Sequence, residues 1–360
     1  MTTNNDVAKH LENNRAAIAE FAFQHLSLAD TTLQERFGDN TQSLWIDYFS
    51  NRVDELTAAL IAGEPRIFLS SIQWSRQAMQ ARSLASDDLR HSVDCFRTAL
   101  LQYVNTSEQS LINTYLEIEN AIDDNDQPVA DIRALDPGSH FKRIALQYLQ
   151  SVVVGNVYAG MDTVIDQVEN GLSVKEAYLN VLLPAQVEVG RLWHENKLSV
   201  AEEHLVTTTT HRLMAVLAQM EQREPDNGMT VIAAAVSGNA HELGIRTIAY
   251  LLEFDGWKTI YLGSDVPAAD LPVTINCFNA DVVLLSIGLH AQVKTLRKTI
   301  AAIRSESTRP TYVMVGGNGF TGAPDLWKEV GADGFATSAD QALELANSLL
   351  DSRQQVSDSR

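Results

Sequence analysis

The stretch Val231-Ile-Ala-Ala-Ala-Val236, followed by Ser237-Gly238-Asn239-Ala240-His241-Glu242-Leu243-Gly244, decides how the chain is read. Its first six residues are apolar without interruption, the mark of a parallel strand buried on both faces. From Glu242 to Glu253 the pattern turns amphipathic at helical spacing. A buried strand that passes through a short polar loop into a helix is the first half of a βα unit. It puts His241 on the loop at the strand's carboxyl end, the edge where open α/β sheets bind ligands.

The alternation continues downstream. Strands are predicted at 230–236, 258–262, 281–287, 311–315 and 334–337, with helices at 242–255, 267–278, 291–305, 323–330 and 339–351. Five such units predict a doubly wound parallel sheet of flavodoxin-like order over 229–351. Residues 352–360 read as a polar tail. Upstream, 139–225 reads as a four-helix bundle. Phe141 to Glu169 supplies one or two helices. Ser173-Val-Lys-Glu176 and Ser199-Val-Ala-Glu202 read as capping boxes that start two more stretches. The first of these is expected to stop at Leu183-Pro184, with a further helix to Trp193; the second is expected to run to about Gln222.

The acidic, polar run Asp123-Asp-Asn-Asp-Gln-Pro128 and Asp136-Pro-Gly make 123–138 a linker. Before it, 1–122 is helical throughout, with apolar residues at three and four spacing in Ile18, Phe21, Ala22 and Leu26 and again in Leu44, Tyr48, Val53, Leu56 and Leu60. Gly38 and Gly63-Glu-Pro65 are breaks. Helices are expected over 67–84 and from Ser86, the latter continuing toward Ile122. The fold class is thus multidomain: an all-α N-terminal domain, a four-helix bundle and a flavodoxin-like α/β domain.

With 360 residues, 45% hydrophobic and 20% charged, the chain has the composition of a globular protein with real cores. A net charge of −19 argues against direct nucleic-acid binding and against an anionic membrane surface, since phosphate must be met by Lys and Arg. Cys95 and Cys277 are too few for a disulfide framework. The start carries no basic and apolar leader, and no apolar run is long enough to span a bilayer. The expected location is the cytoplasm.

Three loops carry the candidate chemistry. Asn239-x-His241-x-x-Gly244 offers an imidazole that binds a metal through one ring nitrogen when the other has a partner, for which the Asn239 amide oxygen is a candidate. Gly244 lets a bulky planar ligand approach the backbone. Taken alone, the loop also reads as a helix cap with an incidental histidine. Ser286-Ile-Gly288 ends the third strand and Gly316-Gly317 the fourth, both on the edge of His241. A hydroxyl and paired glycines there leave a slot for a long, thin ligand, although βα turns in general favour Ser and Gly.

Together these loops resemble the cobalamin (vitamin B12) binding domain family, with its Asp-x-His-x-x-Gly, Ser-x-Leu and Gly-Gly motifs. The resemblance implies that His241 is the lower ligand of cobalt and that the displaced tail enters beside Ser286, Gly288, Gly316 and Gly317. Asn239 stands where the family has an acid, and Gly288 where it has leucine.

In the bundle, Trp193 and Glu203-His204 are separated by nine residues. Alone this reads as a core tryptophan with surface charges. Beside the sheet motifs, Trp-x9-Glu-His is similar to the B12-dependent photoreceptors, the CarH-like light-sensitive repressors. That likeness implies adenosylcobalamin, capped by Trp193, Glu203 and His204, with His194 replacing the adenosyl group on cobalt after photolysis.

The resemblance covers about 140–350. The N-terminal helices do not match the basic DNA-binding domain of the repressors. They resemble the photocobilins, which add a bilin such as biliverdin. Trp74, Arg76, Arg82, His91 and Arg97 have the chemistry to stack on a bilin and pair with its propionates. Cys95 is a possible attachment point that also reads as a buried thiol. An ordinary dimerisation or signalling bundle is the other reading.

The expected function is a non-enzymatic light sensor that works as a dimer or tetramer and passes its signal to an unidentified protein. The alternative is a corrinoid methyl carrier serving a methyltransferase. A flavodoxin-like domain without corrinoid is a third reading. A mutase is disfavoured because no TIM barrel is present.

Overall fold

A computed structural model describes residues 3–82, 86–116 and 138–358, without the side chains of 86–87 and 351–358. The expected linker at 123–138 lies outside the described residues up to 137, as do the expected helical continuation over 117–122 and residues 359–360. The chain forms two compact units. The first is Met1–Gln127 with Ile287–Lys298 and Asn318–Gly331; the second is Pro128–Ser286, Thr299–Gly317 and Ala332–Arg360.

In the first unit, seven helices are described before residue 117, the long ones being Arg15–Ala29, Thr41–Ala62, Pro65–Ala81 and Ser86–Tyr103. Gly63 ends Thr41–Ala62 in the left-handed region at φ 69°, and Pro65 opens the next helix, where its missing N–H costs nothing. Phe49, Phe68 and Phe96 stack at 6.1–6.3 Å in the core. The helix from Ser86 does not continue toward Ile122. It stops at Tyr103, because Asn105 accepts the N–H groups of Ser107 and Glu108 and caps a new helix, Thr106–Tyr115.

The second unit holds four helical stretches followed by the sheet. His140–Val153 and Val157–Glu169 pack at Gly160, where a Cβ would come within 2.6 Å of Val152. The capping boxes at Ser173/Glu176 and Ser199/Glu202 are both formed. The expected stop at Leu183-Pro184 is not there. Helix Val174–Glu176 passes through a π-helical segment, Ala177–Leu182, directly into Leu183–His194. Pro184 lies in the first turn of that last segment, and the wider π turn absorbs the N–H it cannot give. The last bundle helix, Val200–Ala218, ends four residues short of Gln222.

The strands are β1 Thr230–Val236, β2 Lys258–Val266, β3 Val282–Ser286, β4 Tyr312–Gly316 and β5 Gly334–Ala336. All pair in parallel, in the order β2-β1-β3-β4-β5, so the doubly wound sheet is present in the flavodoxin-like order. β2 runs four residues beyond its expected end. A bulge between Tyr261 and Gly263 resets its register, and Val266 then pairs with Val236. The expected tail from Ser352 instead extends the helix Ala339–Asp358; no Gly or Pro interrupts Ser352-Arg-Gln-Gln-Val, and Arg and Gln are good helix formers.

Bundle and sheet share one apolar core through helix Leu243–Phe254, whose Ile245, Ala249, Leu252 and Phe254 are buried. Tyr178 packs on Tyr250 and Phe254 at 5.9 and 6.3 Å. Its hydroxyl, out of water, donates to the Met214 carbonyl at 2.6 Å.

Candidate functional site

The loop after β1 is fixed at three points. Asn239 is fully buried. Its amide donates to the Ser286 carbonyl at 3.0 Å, and its oxygen accepts the main-chain N–H of His241 at 3.0 Å. The oxygen expected to meet the imidazole is thus spent on the loop backbone, and Asn239 ties β1 to the end of β3. Asp265, at the far end of β2, accepts from the Ser237 hydroxyl at 2.9 Å and the Gly238 N–H at 2.7 Å. These bonds hold its carboxyl below the ordinary range. Its own N–H donates to the Asn239 carbonyl at 3.2 Å. Glu242 accepts from the Tyr261 hydroxyl at 2.8 Å and from Arg246 at 3.2 Å.

Held this way, His241 is exposed. A Cβ on Gly244 would meet nothing within 4 Å, so the face beside His241 is open. Among the described residues no three His, Cys, Asp or Glu converge as a metal site. A single imidazole serves a metal that arrives in a macrocycle with its other ligands. The residues present therefore fit such a group, for which His241 would be the protein's ligand on an open face.

Gly316 ends β4 and Gly317 follows it, and each has a backbone role of its own. A Cβ on Gly316 would lie 2.7 Å from the Ala336 carbonyl oxygen, so this glycine is required by the close approach of β5. Gly317 has φ 103°, which turns the chain out of the strand. Gly288 belongs to the first unit, where its N–H and that of Leu289 donate to Gln292 at 2.8 and 3.1 Å.

At the bundle end, Asn196 adopts the left-handed region at φ 56° and closes the helix that ends in Trp193-His194. Arg191 braces that end by its bidentate pairing with Glu188, at 2.6 Å, and by its contact with Glu195. Nine residues after His194, Glu203 lies in the first turn of Val200–Ala218 and bonds the adjacent His204. The Thr207 hydroxyl lies 2.8 Å from Glu203 and 2.9 Å from Gln186. Gln186 donates to Thr210 at 2.7 Å, and Thr210 meets Tyr148 at 2.7 Å. Glu203, and His204 through it, thus sit at the end of a polar ladder that crosses the bundle. Two turns beyond His204, the same helix brings His211 to 3.5 Å from Glu242.

The five residues expected to hold a bilin do not share one face. Trp74 is 51% exposed, whereas Arg76, about 200° around the same helix, is buried. Arg82 bonds the Ala78 carbonyl at 3.0 Å, His91 is exposed, and Arg97 donates to the Leu116 carbonyl at 2.7 Å. Cys95 is half-buried, and burial pushes its thiol up. The polar centre of this unit is instead Arg52, whose guanidinium pairs with Glu55 at 3.1 Å, reaches Ser75 at 3.1 Å and lies over the Tyr48 ring.

Asp265, Glu242, Tyr261 and His211 were not legible as site residues. The extension of β2 that carries Asp265 is itself visible only in the structure.

Residues 229–346 match the B12 binding domain family, and residues 147–218 match a second B12 binding domain family. A corrinoid protein of Desulfitobacterium hafniense (strain Y51) is 26% identical over 191 residues, which is 51% of this chain and 86% of that protein. The HTH-type transcriptional repressor CarH of Myxococcus xanthus is 30% identical over 155 residues, 43% of this chain and 51% of the repressor. The chain therefore aligns with about half of that relative's length. The structure of the Methanosarcina barkeri monomethylamine corrinoid protein has the same fold, with a TM-score of 0.50 at 17% identity over 58% of this chain and 99% of that one. No helix among the described residues is long and apolar enough to cross a membrane. Residues 147–218 and 229–346 are a pair of B12 binding domains, and the chain is a cobalamin-binding protein.

Proposed function

We propose that this protein is a light sensor that holds adenosylcobalamin between its bundle and its sheet. One observation carries the reading: Trp193 and His194 end one bundle helix, Glu203 and His204 lie at the start of the next, and that second helix reaches the His241 loop through His211 and Glu242. Bound adenosylcobalamin supplies a cobalt–carbon bond that visible light breaks. His241 would be a ligand to its cobalt. Trp193 would give the group a flat apolar wall, and Glu203, fixed by Thr207, would give that wall a polar rim. His194, next to the tryptophan, would offer the cobalt a second imidazole once the adenosyl group has left. The resulting shift of the bundle is a two-state change driven by a local ligand event. It is read out as altered dimer or tetramer assembly or by a downstream protein in the cytoplasm. No substrate is turned over.

The test is the absorption spectrum of the full chain loaded with adenosylcobalamin, before and after green light. The expected result is a light-driven shift to a stable bis-histidine type of spectrum, lost in His194→Ala. An unchanged spectrum, together with methyl uptake from a partner enzyme, would overturn the sensor. That outcome supports the second reading, a corrinoid methyl carrier, which the match over 86% of the Desulfitobacterium corrinoid protein favours. Biliverdin or another bilin in the first unit belongs to the same proposal. A red or far-red band after growth with biliverdin supports it, and its absence returns that unit to a signalling role.

A further inference from the structure

We propose that His211, Glu242, Arg246 and Tyr261 form a latch through which the position of the Val200–Ala218 helix is transmitted to the loop that carries His241. The proposal rests on the cobalamin-binding reading for its purpose, but its geometry stands in the protein alone.

Glu242 is the hub. It follows His241 directly, so its contacts anchor the loop next to the imidazole. One carboxylate oxygen takes the Tyr261 hydroxyl of β2 at 2.8 Å. The other faces Arg246 at 3.2 Å, one turn on in the helix, and His211 of the bundle at 3.5 Å. Arg246 in turn lies over the Tyr261 ring at 4.7 Å. β2 is shaped for this arrangement. Its bulge falls between Tyr261 and Gly263, and Gly263, at φ 84°, leaves only 3.3 Å between its Cβ position and Glu242. A side chain at 263 would press on the hub.

Three of the four groups are partners within the sheet domain, and His211 is the one from the bundle. It lies on the helix that bears Glu203 and His204, about 10 Å further along the axis. A movement of that helix end therefore reaches Glu242 directly through the His211 contact.

The network is also incomplete. His211 Nδ1 and Arg246 Nε are buried without a hydrogen-bond partner. A buried polar network with open valences holds one arrangement less firmly than a satisfied one. It is therefore suited to exist in two arrangements, latched and released. Burial and the neighbouring Arg246 push the His211 ring down from its ordinary value, which favours the uncharged imidazole at its 3.5 Å approach to Glu242. In these terms His211 and Glu242 are positioning residues. Neither is assigned contact with the corrinoid.

The experiment is amide hydrogen exchange on the full-length apo-protein, followed in segments 200–212 and 237–247. His211→Ala removes the bundle arm and should raise exchange of 237–247 about three- to tenfold, the range of one modest polar contact. His211→Gln keeps a neutral donor and should restore most of that protection. Glu242→Gln, nearly the same size, should loosen both segments. Unchanged exchange of 237–247 in both His211→Ala and Glu242→Gln would overturn the latch, as would equal loosening in His211→Ala and His211→Gln. A parallel arm loads the chain with hydroxocobalamin, which His211→Ala should release about three- to tenfold faster than wild type. A wild-type chain that takes up no hydroxocobalamin overturns the cobalamin reading, and the apo-protein arm still decides the latch.

Discussion

Replacing Asn239 by Asp, the acid that the related motif carries, should destabilise this protein in a pH-dependent way. Asn239 is fully buried, and its amide nitrogen donates to the Ser286 carbonyl at 3.0 Å. An aspartate would set a carboxylate oxygen against that carbonyl oxygen. It escapes the repulsion only by staying protonated, as an O–H donor to Ser286. The folded-state value of the acid is then raised above its unfolded value of about 3.9. A raised acid costs nothing when both states are protonated, and it costs more as pH rises beyond the unfolded value. The slope is about 1.4 kcal/mol per pH unit until the folded value is passed. The penalty therefore grows from about 2 kcal/mol at pH 5.5 to about 4 kcal/mol at pH 7. For a domain of about 150–250 residues, 1 kcal/mol is about 2–4 °C in Tm, so the melting point of the apo-protein should fall by about 8–16 °C at pH 7 and by about half of that at pH 5.5. Asn239→Ala, which has no proton to hold, is the control: its loss should be the same at both values. An aspartate variant that melts like wild type at pH 7, or one whose loss does not change with pH, would refute the reasoning.

Two further outcomes follow from the same structure. Gly316→Ala and Gly244→Ala should behave oppositely: the first drives a methyl group to 2.7 Å from the Ala336 oxygen and should cost about 1–3 kcal/mol, whereas the second meets open space and should gain up to about 1 kcal/mol of helix propensity while weakening corrinoid uptake. Thermal melts of the two apo-variants check this, and a shared direction would contradict it. In the first unit, burial pushes the Glu55 carboxyl up despite its pairing with Arg52 and Ser71. Its folded value exceeds the unfolded one, so stability falls as pH rises from about 4.3 toward the folded value. Glu55→Gln should flatten that fall, measured as amide exchange of 41–62 at pH 5 and 7.5, and an unaltered slope would count against it.

The sequence by itself determined the elements whose signals are local. Five apolar runs separated by amphipathic ones gave the parallel sheet. Ser173 and Ser199 were read as caps because the reciprocal glutamate stands three residues on. His241 was placed at the carboxyl edge because a strand and a helix flank it. Where a local rule failed, another local preference outweighed it: Asn105 capped a new helix that periodicity alone would have merged with the last, and a π turn carried the chain through Pro184.

The tertiary structure decided everything that depends on residues meeting across the fold. The amide of Asn239 turns to Ser286, 47 residues away, so its oxygen serves the loop backbone. Asp265 clasps Ser237 from 28 residues away, and only because a bulge carries β2 past its apolar run. His211 meets Glu242 only after bundle and sheet have packed through Tyr178 and Phe254. Periodicity and capping record what a residue does with neighbours a few positions away. The direction in which a buried amide, a carboxylate or an imidazole finally points is set by which partners the packed core brings within hydrogen-bond distance, because burial leaves each of them little choice but to find one.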